Sequence, residues 1–167
     1  MNIEAKELSK IYDTGEGQIT ALNRASLKIE QGDFLSIMGP SGSGKSTLLH
    51  LLSGLDRPSS GRLFYDGKDI YSLGDRELSA FRRRRIGFVF QQFHLLPVLM
   101  AKPEVIFADE PTGNLDSKSG GEVMEMLKSV NEQMGKTLVV ITHDERVASM
   151  APRRFSIVDG VLKEVRG

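Results

Sequence analysis

A short apolar run, Phe34-Leu-Ser-Ile-Met38, gives way to Gly39-Pro40-Ser41-Gly42-Ser43-Gly44-Lys45-Ser46 and then to Thr47-Leu-Leu-His-Leu-Leu52. The first run suits a parallel strand covered on both faces. The last has leucine on most sides, which predicts a buried helix stopped by Gly54. Between them lies the pattern G-x-x-x-x-G-K-[ST]. Its glycines let the backbone curl so that successive N–H groups point inward at phosphate oxygens, where the following helix also presents its positive end. Lys45 would then bridge β- and γ-phosphates, and the Ser46 hydroxyl would ligate Mg²⁺. Strand before and helix after are the context the motif requires. They predict a nucleotide site.

Further strands and helices extend from this centre. Ile3, Ala5, Ala25, Leu27 and Ile29 alternate with polar residues, a half-buried sheet pattern. Residues 62–65 read as a strand with an Asp66-Gly67 turn behind it, and 75–85 as a charged helix ending in Arg82 to Arg85. Buried strands are expected at 86–90, 105–108 and 137–141. Val123, Met126, Leu127, Val130 and Met134 fall on one helical face, capped by Asp116 or Ser117. Asp159-Gly160 joins the two arms of a closing hairpin. Alternating strands and helices indicate an α/β domain with a mainly parallel sheet, and the antiparallel pieces indicate a smaller β layer attached to it. Residues 1–33 and 61–70 are assigned to that layer, and 34–60 and 71–167 to the core.

A second set of candidate residues sits at strand ends. The run Val105-Ile-Phe-Ala-Asp109-Glu110 places Asp109 at the sheet's C-terminal edge, where it can hold Mg²⁺ through water. Glu110 points differently and can take a proton from an attacking water. Gln91 comes after one strand, and Thr142-His143 puts an imidazole at the end of another, in reach of a γ-phosphate. Phe88 and Phe90 are expected to fill the core. His50 and His94 receive no catalytic role.

Composition removes several function classes. The chain has 167 residues, 40% of them hydrophobic, with 22 basic and 22 acidic side chains and no cysteine. Zero net charge argues against a coat for nucleic acid, and the Arg82 to Arg85 run lacks interleaved aromatics. Without cysteine there is neither disulfide nor thiolate site. The first residues mix charge from Glu4 onward, unlike a signal peptide. The apolar run 95–101 contains Pro97 and is far below the roughly 20 residues of a membrane span. A cytoplasmic globular domain is expected.

Taken together, Tyr12, GPSGSGKST, GFVFQQF, VIFADEPTGNLD and ITHD make the chain similar to the ATP-binding subunit of ABC transporters. The wording most resembles the subgroup serving lipoprotein release and macrolide-type export. The resemblance implies a P-loop NTPase core with ATP and Mg²⁺ as ligands. It implies that Tyr12 stacks on adenine, that residues 39–47 wrap the phosphates, and that Gln91 senses Mg²⁺ and water. It further implies that Glu110 is the general base, His143 the switch histidine, and Asp116 an acid facing a second subunit. Such subunits work as head-to-tail homodimers around two ATP molecules, bound to membrane permease subunits on the cytoplasmic side. Relatives tied to cell division use nearly the same sequence to transmit force or signal instead.

One family element is missing. No LSGGQ-like signature or helical arm lies between Gln91 and Asp109, and Ser119-Gly120-Gly121 falls too late, inside the amphipathic helix. Residues 91–104 are little more than the dozen or so that a parallel crossover needs, and Pro97 and Pro103 forbid a long helix there. Either the arm is deleted, or a disordered arm has been left out and its flanks joined near Val98 to Ala101. The second is favoured, because residues 95–100 would otherwise form an exposed apolar stretch. If the arm is deleted, the chain is a binding-only remnant: MgATP should still bind, but hydrolysis should be poor, since the signature of one subunit stabilises charge on the other's γ-phosphate.

Overall fold

Period-2 patterns at the start of the chain fold as two long antiparallel strands, β1 (Ile3–Asp13) and β2 (Gln18–Ile29). These come from a computed structural model, which describes residues 1–15, 17–90 and 102–165. β3 (Phe34–Met38) follows, then α1 (Lys45–Leu52), β4 (Ser60–Tyr65) and the two-residue β5 (Lys68–Asp69). A 3-10 turn at Ile70–Ser72 leads into α2 (Asp75–Arg85). The remaining elements are β6 (Ile86–Val89), β7 (Val105–Asp109), α3 (Ser117–Met134), β8 (Thr137–Thr142), α4 (Glu145–Ser149), β9 (Arg153–Val158) and β10 (Val161–Val165). The 3-10 turn, β5 and α4 are too short to leave a periodic signal.

Two sheets result. One is antiparallel, in the order β2-β1-β4-β5; the other runs β10-β9-β3-β8-β7-β6 and is parallel except for β10. Alternation along the parallel strands divides the core in two. Leu35, Ile37, Val105, Phe107, Val139 and Ile141 face α1 and the antiparallel layer. Phe34, Ile106, Ala108, Leu138 and Val140 face α3 and α4. Ser36 interrupts that second face, and its buried hydroxyl donates to the Ala148 carbonyl at 3.0 Å. Among the described residues no helix is long and apolar enough to cross a membrane.

Two expectations are corrected. The buried stripe of α3 is Gly120, Met124, Leu127 and Val130, while Met126 and Met134 stand half exposed. Met126 lies about 100° round the helix from Leu127, and Met134 is its last residue, so neither reaches the sheet. Phe90 is 51% exposed, because it comes after β6 rather than lying within it; its ring stacks on Phe88. In the arginine run, Arg83 and Arg84 are exposed while Arg85 has a structural role. Arg85 bridges Asp66 and Glu104, each at 2.6 Å, so the end of α2 ties the antiparallel layer to the entry of β7. The expected join at 98–101 lies outside the described residues, as do Gln91 and His94.

Asn131 shows how the site's scaffold is closed at its far end. Its amide donates to the carbonyls of Gly32 (2.8 Å) and Lys136 (2.6 Å), fastening α3 to the turns before β3 and β8. Asn131→Ala leaves these carbonyls without that donor and is expected to cost about 1–3 kcal/mol. The urea midpoint measures it; an unchanged midpoint would mean that water satisfies them fully.

Candidate functional site

The loop after β3 is shaped by close backbone approach. Gly42 and Gly44 have φ of 76° and 100°, in the left-handed region. A Cβ on Gly44 would sit 2.2 Å from the Ala21 carbonyl oxygen, and one on Gly39 would sit 2.2 Å from that of Ile157. Neither position has room for a side chain. Gly44 is also the N-cap of α1, with no side-chain cap and no acidic residue in the first turn. The first N–H groups of α1 are therefore left to whatever enters from outside, at the helix's positive end. Lys45 is buried and folds back across the loop, donating to the carbonyls of Gly39 (2.8 Å) and Pro40 (2.9 Å). Ser43 lies beneath; its hydroxyl is the one buried side-chain polar atom without a partner among the described residues.

Opposite the loop, strand register brings the acids in. Asp109 pairs with Ile141, so β7 and β8 end together. Glu110 then turns with φ 46° while its N–H donates to the Ile141 carbonyl at 2.9 Å. A left-handed non-glycine residue costs about 1–3 kcal/mol, and such strain gathers at functional positions. The Glu110 carboxylate receives the His143 backbone N–H at 3.3 Å and lies 3.0 Å from its Nδ1. Asp144 caps α4 through the Arg146 N–H, which holds the 142–144 corner in place.

These pieces border one cavity of about 900 Å³: Ser41, Gly42 and residues 44–47 on one side, Asp109, Glu110 and His143 on the other. Ala21 and Phe90 complete the wall, and sequence reasoning missed both. A lone aromatic after a strand reads equally as core or rim, and a short alanine in β2 carries no signal. The Ser46 hydroxyl faces Asp109 and favours its charged form. Burial pushes its carboxyl above the ordinary range and the neighbouring Glu110 adds to this, while the Ser46 hydroxyl and the His50 and Lys45 charges oppose it. Among the described residues no group of three or more His, Cys, Asp or Glu forms a metal cage. One carboxylate and one hydroxyl nevertheless suit Mg²⁺, which keeps waters and takes phosphate oxygens for the rest of its shell.

Two expected residues stand apart. Tyr12 is not among the residues bordering the cavity; its hydroxyl donates to Asp56 at 3.2 Å. Asp116 caps α3, accepting from the N–H groups of Lys118 and Ser119 and from the Ser119 hydroxyl, which together hold its carboxyl below the usual range. It borders a smaller groove with Thr112, Asp144 and Arg146. Gln91 lies outside the described residues.

Comparison with known proteins adds independent observations. A family profile described as ABC transporter matches residues 22–100. The lipoprotein-releasing system ATP-binding protein LolD of Geobacter metallireducens is 34% identical, over 95% of this chain and 96% of that protein. The macrolide export ATP-binding/permease protein MacB of Bdellovibrio bacteriovorus is 37% identical over 96% of this chain, which spans only 33% of that protein. Among solved structures, the ATP-binding cassette MJ0796 of Methanocaldococcus jannaschii, a dimer in a post-hydrolysis state bound to ADP and Pi, superposes with a TM-score of 0.89. The identity is 34% over 99% of both chains. The LolD alignment runs over 216 positions against the 167 residues present here, so that relative carries several tens of residues with no counterpart in this chain.

The raised Asp109 pKa has a testable sign. A carboxyl whose folded pKa exceeds its unfolded value of 3.8 favours the fold below that value, and this contribution is lost as pH rises through the folded value. In metal-free, nucleotide-free protein, Asp109→Asn is therefore expected to melt above the parent at pH 7 to 8. The gap should close as pH falls toward 4. A variant melting at or below the parent at neutral pH would refute burial as the dominant influence.

Proposed function

The chain belongs to the ABC transporter ATP-binding family, and from that premise we propose that it is the subunit that binds and hydrolyses ATP to power an export or lipoprotein-extraction complex. The observation that carries the reading is the shared cavity, where the uncapped start of α1 and buried Lys45 face Asp109, Glu110 and His143. Backbone N–H groups from 41 to 47, the helix's positive end and the Lys45 ammonium would hold the β- and γ-phosphates. In doing so Lys45 exchanges two carbonyl partners for phosphate oxygens. Ser46 and Asp109, with Gln91, would hold Mg²⁺, which when bound neutralises phosphate charge. Glu110 would accept the proton of the in-line water, and His143, already beside that carboxylate, would keep it aimed and contact the γ-phosphate. Tyr12 would swing from Asp56 to stack on adenine.

The partner assignments rest on the relatives. LolD and MacB bear names of release and export systems, and the MJ0796 cassette is dimeric with its nucleotide products. We infer a homodimer in the ATP-bound state, with Asp116 at its seam, attached to membrane permease subunits on the cytoplasmic face. Hydrolysis by this chain alone should be slow. The stretch between Gln91 and Asp109 has no signature segment, so the γ-phosphate lacks the donors that a second subunit would bring.

Calorimetric titration with MgATP tests the core of this reading. The parent and Glu110→Gln are expected to bind, since Glu110 acts on water rather than on phosphate. Lys45→Ala should lose affinity at least about tenfold, the scale of a lost charged hydrogen bond of about 1.5–3 kcal/mol. Equal affinity in Lys45→Ala would remove the loop from the site.

A further inference from the structure

The C-terminal hairpin meets the phosphate loop through a main-chain hydrogen bond at its turn, beside the packing of Ile157 against Gly39 and Gly44. Asp159 and Gly160, with φ of 49° and 74°, form the tight turn between β9 and β10. The Gly160 N–H donates to the Ser43 carbonyl at 3.0 Å, and the Gly160 carbonyl accepts the Asn23 N–H at 2.9 Å. A Cβ on Gly160 would lie 3.0 Å from the Ala21 oxygen and 3.1 Å from the Leu22 Cα. The same Ala21 oxygen is the atom that leaves no room at Gly44, and Ala21 borders the cavity. Turn, β2 and phosphate loop are thus wedged together.

The peptide geometry gives this contact a direction. The Ser43 carbonyl and the Gly44 N–H belong to one planar trans peptide and point opposite ways. With the carbonyl held by Gly160, the Gly44 N–H is turned away from the hairpin, and Gly44 borders the cavity. We propose that Gly160 is a positioning residue for nucleotide binding: its N–H sets the Ser43–Gly44 peptide so that the loop presents an N–H to the phosphates before ligand arrives. This rests on the nucleotide reading above and adds to it a residue that no phosphate-binding motif contains.

The molecule supplies its own control. Asp66 and Gly67 form a second turn with φ of 49° and 79°, nearly the same as at 159 and 160, yet a Cβ on Gly67 meets nothing within 4 Å. Gly67→Ala and Gly160→Ala therefore carry similar backbone strain, but only the second presses on Ala21 and the loop. Both variants are expected to melt below the parent. Gly160→Ala alone should weaken MgATP binding, by about fivefold or more, in the range of coupling between linked sites. Equal affinity in the two variants would overturn the inference while leaving the nucleotide reading intact. No binding by the parent would overturn both. Should Gly160→Ala fail to fold, the parent answers alone. Linkage is reciprocal, so saturating MgATP must strengthen the hairpin bond, and the Gly160 amide should exchange with solvent more slowly by NMR. An unchanged exchange rate would refute the proposal.

Discussion

Backbone N–H groups at the start of a helix have no intrahelical acceptors, and in α1 no side chain supplies one. The surrounding residues keep those donors open to the cavity. Glycine at 39 and 44 lets the loop lie against two other strands, where any side chain would collide with a carbonyl oxygen. Lys45 is stored against its own loop rather than in water, so its charge is on hand without an acidic partner that would compete with phosphate. The acids border the same cavity at the ends of β7 and β8, and neither forms an ion pair with Lys45 among the described residues.

Glu110 and Asp109 are adjacent in sequence but live in different surroundings. Asp109 is half-buried, faces the Ser46 hydroxyl and is shifted toward its neutral form. Glu110 leaves the strand with a left-handed backbone that swings its carboxylate onto the His143 corner. Two neighbouring carboxylates are thereby separated in direction by one strained residue. The parallel register of β7 and β8 supplies the restraint, because the Glu110 N–H is held by Ile141.

Much of this is legible in the chain alone, for physical reasons that differ by element. β3, β7 and β8 are buried on both faces, so each appears as a mostly apolar run, and the residues just past such runs must emerge at the same sheet edge. That is why Lys45, Ser46, Asp109, Glu110 and His143 can be grouped without coordinates. The face of α3 is less readable: methionines on its flank and at its end satisfy a helical period as well as the buried stripe does. Phe90 misleads because aromatic bulk marks core and cavity rim alike. Tyr12 is placed only by likeness, and its local partners Lys10 and Asp56 leave no pattern in the chain. The hairpin contact is invisible, since a main-chain bond from 160 to 43 leaves only a glycine that a turn already explains.

The strand order has a consequence for the order of events in the cell. β3, which launches the phosphate loop, lies between β8 and β9, so both of its hydrogen-bonding neighbours are more than a hundred residues downstream. While the ribosome is still extending the polypeptide, the loop can be fully made and yet have no sheet to stand on. Nucleotide can therefore become a ligand only once residues 137–158 have left the exit tunnel, and a chain interrupted earlier will hold its phosphate motif intact and useless.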